Sequence, residues 1–392
     1  MVAKETLKSW EGTLEDVKDI LFSLEPEGNW ANKQIIRDTY AEIQGNLNED
    51  IDFLSINAAF IFSKDHSTDD LTAETVDLLR HWYLMNHAPS LLSLCMFAVE
   101  NFQIDIDGDL KQALVMACVL GEVPNDLSYH STLHYKKVVL QMIRLISIHN
   151  GIYKDTDNFC DGTNIAFLLM ASCIHDLGHD GKGNTLKGVY HQARLERISY
   201  AILVKYFNAI GFKDTENYQK MMDDLRLVLL CTDTSPMGDP ASFANQMKTA
   251  YRVHFLNQKS GYEGMNLDPE VRALETDEKL TVMALLLHEA DMATSSGLNY
   301  EITSFETTLF YREINQPEAK PSNVIDFMNT ICQRQVLSSA GQKLYSANMA
   351  RILALAEKEI KAGNSPFPEP EHSNFLLLHG EKPGDDTPKT IN

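Results

Sequence analysis

Three short segments hold histidines and carboxylates in a pattern that packing alone does not explain: Tyr129-His130-Ser-Thr-Leu-His134, His175-Asp176-Leu-Gly178-His179 and His288-Glu289-Ala-Asp291. The second closes the apolar run 165–174 and the third closes the apolar run 280–287. Singly, each has an ordinary explanation, since a histidine or aspartate at a helix end is commonly a cap or a solvated side chain. In combination they are harder to dismiss. An imidazole beside a carboxylate at the foot of a buried helix is costly in low dielectric unless a cation compensates. The nitrogen and oxygen donors so gathered are those of a divalent metal site. The four-residue spacing of His130 and His134 predicts that both lie on one helix face, in a helix opening after Pro124 with Asp126 or Ser128 as N-cap.

Helices are expected to position these groups. Over 109–120 the apolar residues fall at Leu110, Ala113, Leu114, Met116, Ala117 and Leu120, a broad core-facing stripe. Similar patterns run through 133–148, 164–174, 194–210, 225–230, 280–287 and 349–360, and strict alternation is scarce, so the expected fold is all-α. Turn residues such as Gly121-Glu-Val-Pro124 and Gly181-Lys-Gly183-Asn separate the helices. No repeat and no Gly/Ser linker divides the chain. The expected organisation is an N-terminal helical subdomain over 1–100, a catalytic domain over 101–362 and a Pro-rich, acidic tail over 363–392.

With 392 residues, 44% of them hydrophobic, the chain can bury a sizeable core. Its 55 acidic against 34 basic residues give a net charge of −21, which repels nucleic acids and anionic membranes and excludes them as expected partners. A small anionic substrate is still compatible, because bound cations invert the field locally. The six cysteines are scattered, without a C-x-x-C pair, and sit mostly in apolar runs. That reads as buried thiols in a reducing compartment, neither a disulfide framework nor a zinc–cysteine site. The polar N-terminus is no signal peptide and the apolar runs are too short for a bilayer, so a soluble, cytoplasmic protein is expected. No G-x-S-x-G, P-loop or helix-opening G-x-G-x-x-G is present, and His191 and His254 fall outside the three segments.

The order H…HD…D resembles that of the HD phosphohydrolases, and more segments resemble one family within them, the class I cyclic-nucleotide phosphodiesterases. Tyr129-His130-x-x-x-His134 is similar to the family's Y-H-N-x-x-H, His175-Asp176-x-x-His179 to its H-D-x-D-H, and His288-x-Ala-Asp291 to its H-x-A-D. Between them, Leu195-Glu196 resembles the start of L-E-N-H, and Thr232-Asp233 resembles the centre of A-T-D-M. The resemblance covers residues 124–291, with 41 positions from His134 to His175 and 115 from Asp176 to Asp291, close to the family's layout.

The resemblance implies a compact multi-helix HD domain with a dinuclear metal site. His134, His175, Asp176 and Asp291 would hold a zinc-like ion, and Asp176 would bridge to a second ion, magnesium or manganese. His179, Glu196, Thr232 and Asp233 would hold the waters around them. Two such ions would acidify a water and neutralise phosphoryl oxygens, while a protonated His130 would give a proton to the leaving oxygen. Tyr129, Gln335 and Phe327 are the implied substrate contacts, Gln335 gripping the base with Gln333 as its neighbour and Phe327 stacking on it.

Several family positions differ. Ser131 follows the first histidine where the family has Asn, Gly178 replaces the second Asp of H-D-x-D-H, Arg197 and Ile198 replace the end of L-E-N-H, and Thr294 replaces an Asn after Asp291. No metal donor is lost. Three readings therefore stand: hydrolysis of a 3′,5′-cyclic nucleotide to the 5′-monophosphate, an HD-type phosphohydrolase acting on another nucleotide or phosphodiester, or an inactive HD module that binds a nucleotide or a protein partner.

Overall fold

Side-chain caps start most of the helices that build the molecule. Asp107 accepts from the N–H of Leu110, Asp161 from Asn164, Asp277 from Leu280, Asn299 from Ile302 and Ser338 from Gly341, each satisfying a donor that the first helical turn cannot pair. The computed structural model describes residues 2–57, 67–85, 88–212, 216–256, 258, 265–316 and 318–368. Among them are fourteen α-helices and one two-residue hairpin, so the fold is all-α. In chain order they are α1 (Val2–Ser23), α2 (Lys33–Ile56), α3 (Thr68–Met85), α4 (Leu91–Phe102), α5 (Gly108–Gly121), α6 (Thr132–Ile152) and α7 (Gly162–Ile174). Then follow the antiparallel pair β1 (Thr185–Leu186) and β2 (Val189–Tyr190), α8 (Arg194–Ala209), α9 (Glu216–Leu230), α10 (Phe243–Phe255), α11 (Glu278–Ser296), α12 (Tyr300–Glu313), α13 (Pro321–Thr330) and α14 (Ser339–Lys361).

The apolar stripes anticipated from spacing become one continuous core reaching from Trp10 in α1 to Tyr345 in α14. At its centre α7 is buried on every side from Ile165 to Ile174. Each large apolar side chain so buried contributes about 1.5–3 kcal/mol, enough for this run to anchor the polar pair at its C-terminal end. α5, α6 and α11 surround α7. The approach of α5 is unusually close: a Cβ added at Gly121 would stand 2.1 Å from the carbonyl oxygen of Cys173. A smaller apolar cluster joins Val324, Met328 and Cys332 to Met349, Ile352 and Ala356.

All six cysteines are buried and unpaired. No described helix is long and apolar enough to cross a membrane. The start of the C-terminal tail turns back on the fold, with the N–H of Phe367 donating to Ala319 O at 2.8 Å. The remainder of that tail, 369–392, lies outside the described residues.

The helix boundaries correct two expectations. α6 begins at Thr132 with Ser131 as N-cap, so His130 precedes the helix and does not share a face with His134. The cause is tertiary: the backbone N–H groups of Tyr129 and His130 both donate to Glu313, which holds them out of the helix. Asp291, expected at a helix end, lies inside α11, with Ser296 as that helix's last residue.

Candidate metal centre

Three helices bring four donor side chains together. His134 projects from the first turn of α6, His175 caps the C-terminus of α7, Asp176 follows it, and Asp291 comes from the middle of α11. His175 Nε2 and His134 Nε2 lie 3.3 Å apart, His134 Nε2 is 3.2 Å from Asp291 Oδ1, and His175 Nε2 is 3.2 Å from Asp176 Oδ2. The two crossed imidazole–carboxylate separations are 3.9 Å. Donors sharing one ion at about 2.1 Å sit roughly 3.0–3.5 Å apart, so the three shorter separations match a common ion and the two longer ones exceed it by a few tenths of an ångström. Both imidazoles are buried while the carboxylates keep 14% and 12% of their surface, which leaves the cluster open on their side.

The chemistry of these donors also fits a cation. His175 Nδ1 lies 2.9 Å from the carbonyl of Ser172, a partner that can only accept, so Nδ1 carries the proton and Nε2 faces the cluster. His134 Nδ1 is buried with no hydrogen-bond partner among the described residues. Burial opposes charge on His175, but Asp176 beside it and Asp291 prevail and lift its pKa to about 9. For Asp176 burial acts upward, yet His175, His130 and His179 hold it well below the carboxylate range. Burial lowers the pKa of His134. A field that favours positive charge on an imidazole would favour a divalent cation in the same way.

His130 stands at the rim, its Nε2 3.9 Å from Asp176 Oδ2. Its Nδ1 lies 2.5 Å from Glu313 Oε1, and Glu313 Oε2 accepts the N–H groups of Tyr129 at 2.8 Å and His130 at 3.0 Å. Burial disfavours the imidazolium here, but Glu313 and Asp176 outweigh it and raise the pKa of His130. The ring stacks on His179 with centroids 4.0 Å apart. His179 is driven the other way, to about 4, by burial and by its positive neighbour His130. Its Nδ1 accepts the N–H of Gly181, which places its own proton on Nε2. Sequence reasoning missed Glu313. It ends an amphipathic helix outside every motif, and no spacing signal marks it.

The other expected water-holding residues have partners within the fold. Glu196, in the first turn of α8, accepts from Asn184 Nδ2 at 3.0 Å, and burial together with Asp233 and Asp176 raises its pKa well above the usual value. Asp233 is largely occupied within the fold: Oδ2 accepts from Tyr190 OH and Ala193 N, and Oδ1 from Ser235 N. Thr232 donates its hydroxyl to Leu229 O. Where the family carries its second Asp, Gly178 has φ +79°, and a Cβ there would meet Ile202 Cδ1 at 2.6 Å. That space is filled by aliphatic side chains.

The three expected substrate contacts each have partners within the fold. Tyr129 packs on His134 and pairs its hydroxyl with Ser295 Oγ at 2.8 Å, at the metal cluster. Gln335 is exposed, with Arg252 Nη2 3.4 Å from its Oε1, and it lines a cavity of about 20 Å³ with Lys248, His288, Met292 and Cys332. Gln333 is engaged by Asn245 and Arg252. Phe327 is not itself in that lining but packs on the small apolar cluster of α13 and α14, which shares Cys332 and Met349 with it. Neither outlying histidine joins the cluster: His191 is exposed and His254 pairs with Leu274 O at 2.8 Å. No protein-family model matches the chain, and no curated protein matches it, so the side chains themselves carry the functional reading.

Proposed function

We propose that the chain is a metal-dependent phosphohydrolase that opens a 3′,5′-cyclic nucleotide to its 5′-monophosphate. The observation that carries this reading is the juxtaposition of His134, His175, Asp176 and Asp291 with His130, whose ring is bonded to Glu313. His134, His175, Asp176 and Asp291 would hold the first ion, zinc-like in its mixed imidazole and carboxylate donors. Asp176, the more exposed of the two carboxylates, would share a magnesium or manganese ion beside it. Ions held there would supply charge for the phosphoryl oxygens and lower the pKa of water from about 16 towards 7.

The chain's own residues then do the rest. Water adds to phosphorus in line with the 3′ oxygen, and the P–O3′ bond breaks. The His130 imidazolium gives its Nε2 proton to that oxygen, while Glu313 keeps Nδ1 protonated and the ring aimed. A positioned acid of this kind contributes typically about 10²–10⁴ in rate. His179, neutral and stacked on His130, offers its Nε2–H towards the same space, and buried Glu196 supplies a further acceptor for ordered water.

A second reading, a different nucleotide or phosphodiester, is favoured by one observation: Gln335 is exposed, with its Oε1 3.4 Å from Arg252 Nη2. The test incubates the protein with Mg²⁺ or Mn²⁺ and cyclic AMP or cyclic GMP, resolves the products, and measures bound metal. The 5′-monophosphate should appear, vanish on chelation, and vanish in His134→Ala together with the bound ion. Turnover only of other phosphodiesters would favour the second reading. Bound metal with no turnover of any phosphoester would leave a binding module.

A further inference from the structure

The metal donors come from α6, α7 and α11, whereas the partner of His130 comes from α12, so something must fix α12 relative to α6. Two carboxylates on α12 reach towards α6, Glu306 and Glu313, seven residues apart and hence on one face. Their partners, Lys137 and His130, are also seven residues apart, in the opposite order along the chain. Glu313 holds His130 and the two N–H groups at the mouth of α6. Glu306 Oε1 forms an ion pair with Lys137 Nζ inside the helix, one turn beyond the donor His134.

That ion pair is deeply buried, with Lys137 at 2% and Glu306 at 0% exposure. Tyr83 of α3 completes it, donating its hydroxyl to Glu306 Oε1 at 2.7 Å and lying 3.1 Å from Lys137 Nζ. Arg80, one turn earlier, reaches Glu301 of α12 at 3.2 Å, and the Tyr83 ring meets Phe305 edge-on at 4.9 Å. A buried pair of this sort is poor at adding stability, because desolvation offsets most of the attraction. Its best-attested use is to fix one register among alternatives.

We infer that Lys137, Glu306 and Tyr83 form a positioning device that sets the register of α12 against α6, so that Glu313 meets His130, and that α3 thereby controls the proton donor. This rests on the reading of His130 as the general acid. No hydrogen bond or ion pair joins Lys137 or Glu306 to His134, His175, Asp176 or Asp291 among the described residues.

The decisive variant is the double substitution Lys137→Met with Glu306→Leu, compared with each single change and with Lys137→Arg. Each single change strands a buried charge and should unfold the chain at lower temperature. The double variant removes both charges and should recover thermal stability and full metal content. Its kcat should nevertheless stay about 10–100-fold down with KM unchanged, the usual cost of an ångström-scale misplacement. Lys137→Arg should retain most of kcat, and Tyr83→Phe should lower kcat without releasing metal. Independently of turnover, the wild type should show a far-downfield proton resonance from His130 Nδ1–H bonded to Glu313. It should be absent in His130→Asn and weakened in the double variant. A double variant with wild-type kcat and an unchanged resonance overturns the inference. A wild type that turns over nothing overturns the reading of the reaction, and the resonance still decides the positioning role.

Discussion

Glu313 Oε1 lies 2.5 Å from His130 Nδ1, and its other oxygen accepts the backbone N–H groups of Tyr129 and His130. One carboxylate therefore fixes both the ring and the chain that carries it. Glu313→Gln keeps the shape but removes the charge. It should lower kcat by up to about 100-fold, a large share of what a positioned acid contributes. Losing the partner that raises its pKa, His130 should deprotonate at lower pH. The alkaline limb of the kcat profile should then move to lower pH than in the wild type. An unmoved limb would show that another group sets it.

The same pairing makes a prediction about acid stability. Burial would raise the Glu313 carboxyl, but the hydrogen bond and charge of His130 override it and hold the pKa at about 2. A carboxylate depressed in the fold from roughly 4.3 when unfolded contributes stability that is complete above the unfolded value and lost as pH falls towards the folded one. The difference in Tm between wild type and Glu313→Gln should therefore be largest from about pH 5 up to where His130 loses its proton, shrinking above that and again between about pH 4.3 and 2. A gap that stays constant through that window would mean the pairing does not bias folding.

Gly178 offers a structural test close to the metal centre. Its positive φ is strained for any L side chain, and a methyl group would press on Ile202 and Ile198. Gly178→Ala should cost about 1–3 kcal/mol in chemical denaturation. Because Asp176 is only two residues away, bound metal should fall as well. Unchanged stability would mean that Ile202 moves aside easily.

The thiols predict a titration with two plateaus. Burial pushes Cys160 up to about 12 and Cys332 up to about 11, and each of the six side chains is inside the fold. A disulfide reagent should find no fast-reacting thiol in the native chain and six after denaturation. Rapid reaction of Cys95, Cys118 or Cys173, which meet at 3.7–3.8 Å between α4, α5 and α7, would reveal local opening of the core.

How far the sequence could be read differs from one element to the next. α7 was legible because nothing about it depends on distant chain: Asp161 caps it, nine apolar residues fill it, and His175 ends it. His175, Asp176 and Asp291 stood out for the same reason, since polar groups at the ends of apolar runs contrast with their neighbours. The start of α6 was not legible, because a carboxylate more than 180 residues away takes the N–H groups that helix continuation would have used. Glu306 and Glu313 look like the polar face of any amphipathic helix, and only the tertiary pairing gives them meaning. Gln335 was singled out by its type alone, and its partner Arg252, 83 residues earlier, could not be foreseen from spacing.

Gly121 bears no functional group and lies away from the donor atoms, yet it governs how deeply α7 can sit. With Cys173 O only 2.1 Å from where its Cβ would be, even alanine would push α7 outward and carry His175 and Asp176 with it. The placing of the candidate donors is thus limited by the thickness of a helix backbone two elements away. A search for better cation binding confined to the four donors would be tuning the electrodes of a device whose gap is machined elsewhere.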